Sequence, residues 1–378
     1  MMEFEDTRVP VTLLTGFLGA GKTTLLNRLI RDPEAGRVAV IMNEFGDVGL
    51  DHDLIEEATE ETILMQSGCL CCTIRGDLLK TLGKLIARRD RGDLAFDRVV
   101  IETTGIADPG PILHSLIVDR IVGPHFRMDG VVTLADAAMG PRTLDTQFEA
   151  VHQIAMADVI ILSKTDLVTP AEVKRFEARL ASINRSARRV HGEHGRAPTG
   201  TLFGLSAMRG GVTSSDVSSW LGMAEETPDP LAGLSGFPTK PTPSATMPIS
   251  GASAHGAHDH RICSASIEVN DPIPSSIFDF WLDTLIALKG PDILRMKGIV
   301  HVEGMNWPFV FHGVQHIFDA PVPLKSWSGK DTTSRVVVIA RDIDESDLMA
   351  NLETLRVHPT QANEQGDGEA HQTADMPF

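Results

Sequence analysis

The eight residues Gly16 to Thr23, GFLGAGKT, match the pattern G-x-x-x-x-G-K-[ST] in full. They follow an apolar run, Val9 to Leu14, and lead into Thr24-Leu25-Leu26-Asn27-Arg28-Leu29-Ile30, whose apolar positions recur at helical spacing. Strand, glycine-rich turn and helix in that order give the context this pattern needs to cradle phosphate. Gly16, Gly19 and Gly21 let successive backbone N–H groups turn inward on phosphate oxygens, and the positive end of the helix dipole adds to them. Lys22 is expected to reach the β and γ phosphates, and the Thr23 hydroxyl to sit on Mg2+. A ligand-free Gly-rich turn is the plain alternative, and the flanking pattern speaks against it. A nucleoside triphosphate is the expected ligand.

At 378 residues and 40.9 kDa the chain is long enough for two domains with cores of their own. No apolar run reaches the length of a membrane span, and the start, MMEFEDTRVP, is acidic where a signal peptide would be basic. A cytosolic protein with no membrane partner is expected. The net charge of −17 argues against non-specific nucleic-acid binding and is compatible with handling cations. Three of the four cysteines, Cys69, Cys71 and Cys72, fall within four residues, and Cys263 is far away. Spacing that tight cannot frame disulfides, so reduced thiols suited to metal are the better reading.

Further along the chain, chemistry-bearing residues recur behind short apolar runs. Arg37 to Met42 reads as a buried strand ending at Asn43-Glu44-Phe45-Gly46-Asp47. Taken alone, NEFGD is a capped surface loop; beside a phosphate loop it is a candidate switch in which Asp47 or Glu44 meets a metal ion. Glu61 to Gln66 reads as a strand ending in Ser67-Gly68-Cys69-Leu70-Cys71-Cys72. Its soft thiolates suit Zn2+ or Cu(I) over Mg2+ or Ca2+, against the alternative of buried free cysteine. Three thiolates leave a tetrahedral shell for a carboxylate, a water or a partner to finish, which suits a site that must release its metal. A helix from Asp77 to about Arg89 leads to the strand Asp97 to Ile101 and to Glu102-Thr103-Thr104-Gly105. There Glu102 could hold magnesium through water, and the Gly105 backbone could sense the γ-phosphate. Lys22, Asp47 and Glu102 are the candidate catalytic residues, although no general base stands out. After a Pro-rich turn and a short helix, Gly130 to Leu134 is the next strand, and a helix from Phe148 to Met156 precedes Val159 to Leu162.

That strand ends in Ser163-Lys164-Thr165-Asp166, close to the guanine-reading N-K-x-D with Ser in place of Asn; a plain helix N-cap is the alternative. The Asp can accept guanine N1–H and N2–H2, a donor pair adenine lacks. Thr201 to Ala207 fits a further strand, whose closing Ser206-Ala207 could place a backbone N–H on guanine O6. Each of these groups follows an expected strand in an alternating β/α pattern, so all should share one edge of a parallel sheet. The expectation is an α/β P-loop NTPase with a mostly parallel, doubly wound sheet and a small C-terminal α+β domain. Nucleotide and thiolate site become neighbours, and hydrolysis can be coupled to metal capture or release.

The set GFLGAGKTT, NEFGD, GCLCC, ETTGIADP and SKTD resembles the CobW family of GTPases, the cobalamin-synthesis and nitrile-hydratase-activator relatives within the SIMIBI class of P-loop proteins. The resemblance implies a slow GTPase acting as a metallochaperone, with zinc the usual cargo and cobalt or iron in some branches. It implies phosphate and Mg2+ contacts at Gly19, Ala20, Gly21, Lys22, Thr23 and Thr24, cargo metal on Cys69, Cys71 and Cys72, and guanine reading by Lys164 and Asp166. Ser163 weakens one base contact of the family pattern. Met42 stands where some relatives carry an additional Glu, so carboxylate ligation falls to Glu44 or Asp47. A client metalloprotein is implied as partner, and the chain as a monomer or a dimer that depends on metal or nucleotide.

The GTPase domain is expected over residues 7–222. Residues 223–260 are rich in Pro, Gly, Ser and Thr and read as a flexible linker ending in His255, His258 and His260, an auxiliary Zn2+ or Co2+ site or solvated histidines. Residues 261–357 give β, α, β, β, β, α, with strands at Ile262–Val269, Ile299–Val302, Pro308–Val314 and Arg335–Ala340, and resemble the family's C-terminal domain, including Arg295-Met296-Lys297-Gly298. His301, His312 and His316 read as ordinary strand residues, and residues 358–378 as a polar disordered tail. Two other functions stay open. A passive metal buffer or sensor would show turnover indifferent to metal, and a small-molecule kinase would lack the guanine preference that SKTD implies.

Overall fold

The computed structural model describes residues 6–43, 62–67, 74–209, 212–222, 261–325, 327 and 331–357. Seven strands form one sheet: β1 (Val9–Gly16), β2 (Val38–Asn43), β3 (Thr62–Ser67), β4 (Arg98–Glu102), β5 (Phe126–Asp136), β6 (Val159–Ser163) and β7 (Arg188–His191). Their order is β3-β2-β4-β1-β5-β6-β7 and every pairing is parallel. The helices between them are α1 (Lys22–Leu29), α2 (Ile74–Asp90), α3 (Gly110–Val118), α4 (Gly140–Thr146), α5 (Phe148–Ala155) and α6 (Pro170–Ile183), with α7 (Ser214–Trp220) after β7.

The central strands are apolar on both faces because helices cover both. Ile41, Ile101 and Ile160 pack with Leu82, Ile112, Ile154 and Phe176 from α2, α3, α5 and α6. Their strand neighbours Val40, Val100 and Ile161 point the other way, onto Leu25, Leu26 and Leu29 of α1. This is the doubly wound arrangement expected. At α6 a capping box sets the start: Thr169 Oγ1 accepts from Glu172 N while Glu172 reaches back to Thr169 N.

The strand expected over Thr201–Ala207 does not form. A 3-10 turn covers Thr199–Thr201, and the chain then turns at Gly204, whose φ of 65° leaves the strand region. Gly204 N donates to Asp129 Oδ2 at 2.8 Å and so has no ladder partner.

The C-terminal sheet is antiparallel, built from β8 (Ile262–Val269), β9 (Ile293–Val300), β10 (Phe309–Val314), β11 (Ile317–Phe318), β12 (Val322–Pro323) and β13 (Ser334–Arg341). It runs β11-β10-β9-β13-β8, with β12 beside β10. Trp281 and Leu285 of α8 (Ser275–Lys289) and Leu348 and Leu352 of α9 (Glu345–Glu353) fill its core. The second strand starts six residues earlier than expected, at Ile293 rather than Ile299, and takes in Arg295-Met296-Lys297-Gly298.

That tetrapeptide shows why charges sit in a strand buried along its whole length. Met296 enters the C-terminal core, and a Cβ on Gly298 would stand 2.3 Å from the Phe311 ring. Arg295 and Lys297 point to the other face, into the first domain. Arg295 donates to Met156 O and to Asp158 Oδ2, while Lys297 Nζ lies 2.6 Å from Asp158 Oδ1 and donates to Trp220 O at 3.0 Å. Burial alone would raise the Asp158 carboxyl, but the two cations outweigh it and hold it well below the usual range. Burial pushes Lys297 down to about 8 although Asp158 pulls the other way.

Candidate functional site

The carboxyl ends of β1, β4 and β6 bring the phosphate loop, Glu102 and Ser163-Lys164 to one edge. β1 closes at Gly16, whose φ is 138° and whose missing Cβ would lie 2.6 Å from Leu134 O. Gly19 (φ 75°) and Gly21 (φ 99°) continue the left-handed turn, which side-chain-bearing residues resist. Lys22 folds back over the loop, its Nζ donating to Gly16 O at 2.8 Å and Phe17 O at 3.3 Å. Burial lowers its pKa, with Glu102 opposing. Thr23 Oγ1 donates to Glu102 Oε1 at 2.8 Å across 79 residues of sequence. The phosphate-loop hydroxyl and the Walker-B-like carboxylate therefore meet. Two oxygen donors side by side, one anionic, suit a hard cation such as Mg2+.

Behind Glu102 the chain is pinned to β1, with Thr103 N donating to Leu14 O at 3.0 Å and Thr103 Oγ1 to Thr15 Oγ1 at 2.9 Å. Gly105 then packs on Leu18 of the phosphate loop, where a Cβ would stand 2.6 Å from Leu18 N. A glycine is needed here for closeness rather than for φ.

Ser163, the departure from the guanine motif, donates its Oγ to Ala20 O at 2.8 Å and so ties β6 to the phosphate loop. Lys164 takes a left-handed conformation (φ 56°), and its Nζ lies 2.7 Å from Asp136 Oδ2. Asp136, at the end of β5, was not singled out in the sequence. Its other oxygen accepts Ala138 N and Met139 N, which orients the carboxylate toward Lys164. Asp166 is exposed in a 3-10 turn, Thr165–Leu167.

Ser206 and Ala207 are not at this edge. They line a cavity of about 320 Å3 with Asp158, Val159 and Lys297, at the amino ends of the strands, and Ala207 packs with Trp220 and Ile299. A backbone N–H there cannot reach a base held at Lys164. The loop that does follow a strand at the nucleotide edge is Gly192 to Arg196, after β7. Gly192 N donates to Leu162 O at 2.8 Å, and a Cβ on Gly195 (φ 76°) would lie 2.6 Å from Thr24 Cγ2. Beside it a cleft of about 710 Å3 is lined by Thr24, Asn27, Arg28, Arg31, Arg196 and Thr199.

Glu44, Asp47, Cys69, Cys71, Cys72, His255, His258 and His260 lie outside the described residues. The described strand ends that precede the first two groups are neighbours: Asn43 of β2 is the register partner of Ser67 of β3, and Met42 that of both Gln66 and Glu102. Among the described residues no group of three or more His, Cys, Asp or Glu could hold a metal ion. Cys263, half-buried on β8, has its thiol pushed up to about 11 by burial and by Glu345, and is no ready thiolate. His312 is a buried residue of β10 with its ring edge-on to Trp220, and burial lowers its pKa. His301 follows β9, and His316 lies in the β10–β11 turn with its ring near that of His114 on α3.

Two family descriptions match the chain. "CobW/HypB/UreG, nucleotide-binding domain" covers residues 10–191, and "Cobalamin synthesis protein cobW C-terminal domain" covers residues 262–356. Zinc chaperone YjiA of Escherichia coli is 32% identical over 92% of this chain and 99% of its own length. Zinc-regulated GTPase metalloprotein activator 1 of Schizosaccharomyces pombe is 30% identical, over 89% of this chain and 83% of its own. The crystal structure of Zn(II)-bound YjiA GTPase from E. coli superimposes with a TM-score of 0.65 at 28% identity, covering 93% of this chain and 99% of that one. With both halves matched and a relative 32% identical over 99% of its own length, the chain belongs to the CobW family.

Proposed function

We propose that this chain is a GTP-hydrolysing zinc chaperone. On this reading it takes Zn2+ on Cys69, Cys71 and Cys72, with Glu44 or Asp47 completing the shell, and gives it up to a client metalloprotein as GTP is hydrolysed. The observation that carries the reading is the register at one corner of the sheet. β2 and β3 end side by side at Asn43 and Ser67, and Glu102, which touches Thr23, pairs with Met42 one residue before that end. With strands about 4.8 Å apart, the segments bearing carboxylates and thiolates leave the sheet about one to two strand spacings from the candidate magnesium carboxylate. Segments anchored there can be biased by γ-phosphate and by cargo metal alike.

The nucleotide assignments follow the same edge. Gly16, Gly19, Ala20 and Gly21 offer backbone to the phosphates, Lys22 supplies fixed positive charge, and Thr23 and Glu102 hold Mg2+, which when bound neutralises charge on the β and γ oxygens. Gly105 senses the γ-phosphate from the loop packed on Leu18. Lys164 and Asp166 read guanine, and the Gly192–Arg196 loop takes the place first given to Ser206 and Ala207. The names of the E. coli and S. pombe relatives, a zinc chaperone and a zinc-regulated GTPase metalloprotein activator, support the same work for a chain matched to them in both halves. Residues 7–222 would then form the GTPase domain and 261–357 the second domain, joined by 223–260.

Cys71→Ser tests the site. Removing one thiolate from an incomplete shell lowers Zn2+ affinity by tenfold or more while leaving GTP affinity within about twofold. Unchanged Zn2+ affinity, measured by chelator competition, would leave Cys71 a buried structural residue and refute the assignment.

A further inference from the structure

Helix α5 grips the loop between Glu102 and α3 with two adjacent side chains. Gln153, 1% exposed, donates its Nε2 to Gly105 O at 3.2 Å and to Ala107 O at 3.0 Å. Two carbonyl acceptors at one terminal atom leave a single choice for which end is nitrogen. The backbone oxygen of Gln153 accepts Thr133 Oγ1 at 3.0 Å, so the grip is referred to β5 and the sheet. His152, also buried, places Nδ1 3.3 Å from Asp108 Oδ1, and the same oxygen accepts Gly110 N at 2.8 Å where α3 begins. Phe148, one turn earlier on α5, stacks on the His152 ring at 5.9 Å.

The loop is thus fixed at Thr103 by β1, at Gly105 and Ala107 by Gln153, and at Asp108 by His152, while Ile106 between them is 46% exposed. On its inner side Gly105 rests on Leu18 with no room for a Cβ. Holding a carbonyl on each side of residue 106 sets the planes of the Gly105–Ile106 and Ala107–Asp108 peptides and so the path of the backbone at Gly105. A reacting group displaced by about 1 Å loses roughly 100-fold in rate, so such a hold matters to hydrolysis more than to binding, which many phosphate contacts share.

We propose that Gln153 is a positioning residue for hydrolysis: its amide holds the Gly105–Ala107 backbone against the phosphate loop, and the neighbouring His152–Asp108 pair fixes where that loop ends. The inference rests on the nucleotide reading proposed above. Gln153 acts through the loop carbonyls it holds, so its effect falls on kcat.

The experiment compares full-length protein with Gln153→Met, which keeps length and volume but removes both donors, and with Gln153→Glu. Three quantities are measured with Mg2+ present: affinity for a fluorescent GTP analogue, kcat and KM for GTP, and the melting temperature. In Gln153→Met, kcat falls about tenfold or more, with KM and analogue affinity within about threefold. In Gln153→Glu the carboxylate faces two carbonyls and is repelled. Once protonated it can donate to one of them, so its kcat relative to the unsubstituted chain rises as pH is lowered. A Gln153→Met kcat equal to that of the unsubstituted chain overturns the proposal. So does a parallel fall of kcat, analogue affinity and melting temperature in both variants with no recovery at low pH, since Gln153 would then serve only the fold. An unsubstituted chain that neither binds nor hydrolyses GTP would instead overturn the nucleotide reading, and this inference with it.

Discussion

Asp158 stands at the junction of the two domains between Arg295 and Lys297, all three nearly fully buried, and Asp158→Asn leaves two cations facing a neutral amide. Burial already pushes Lys297 down to about 8, and losing the carboxylate that raises it pushes it lower still, toward the neutral amine. The remaining penalty falls on Arg295, whose guanidinium does not titrate. Deleting one partner of a buried ion pair costs about 3–5 kcal/mol. The Asn oxygen can still accept from Val131 N, and Arg295 keeps the Met156 carbonyl, which places the expected loss near the lower end. For domains of 150–250 residues each kcal/mol moves Tm by about 2–4 °C, so the transition that separates the domains should fall by roughly 6–12 °C. Scanning calorimetry on the full chain, with near-ultraviolet circular dichroism to follow the loss of aromatic packing, reads this directly. Adding Arg295→Met removes the stranded cation and should restore part of the loss. An Asp158→Asn melt within about 1 °C of the unsubstituted chain, or a double variant less stable than the single one, would refute the account of this junction.

The same cluster predicts a pH dependence with a definite sign. Lys297 falls from its ordinary 10.5 to about 8 in the folded chain, so between those values the unfolded chain binds more protons. The contribution of this group to stability therefore rises with pH across that window. Urea midpoints at several pH values should show the rise in the parent chain and a flatter profile in Lys297→Met. At the nucleotide edge, Gly105→Ala places a methyl 2.6 Å from Leu18 N and from its Cδ2. Overpacking of that kind costs about 1–3 kcal/mol; a loop displacement should lower GTP turnover while GDP affinity stays within a few-fold. Equal turnover in Gly105→Ala would mean that this close approach plays no part in hydrolysis.

What the sequence made legible was local. The phosphate loop announces itself because one short segment carries the glycines, the lysine and the hydroxyl at fixed spacing, and β1, β2, β4 and β6 because their buried faces force near-continuous apolar runs. β7 is different. Arg188 to His191 is an edge strand whose side chains are largely exposed, so its sequence, RRVH, carries no apolar signal. Missing it moved the last strand of the domain to Thr201–Ala207 and carried the expected base contact to the wrong end of the sheet. Arg295 and Lys297 hid the start of β9 for a related reason. Two charges in a row of alternate residues read as solvent-exposed, and their partner Asp158 lies 137 residues from Arg295. Gln153 offered no signal either, since a polar residue in a short helix that also carries Glu149 and His152 gains meaning only from the loop that folds against it.

If nucleotide and cargo metal act on the same loops, Zn2+ affinity by chelator competition, with Mg2+ and either a non-hydrolysable GTP analogue or GDP, must differ between the two nucleotide states. Linkage requires any such effect to be reciprocal in nucleotide affinity. The account predicts tighter Zn2+ binding in the GTP state by about tenfold, or about 1.4 kcal/mol of coupling. Equal Zn2+ affinity in the two nucleotide states would contradict it and leave two neighbouring sites that work independently.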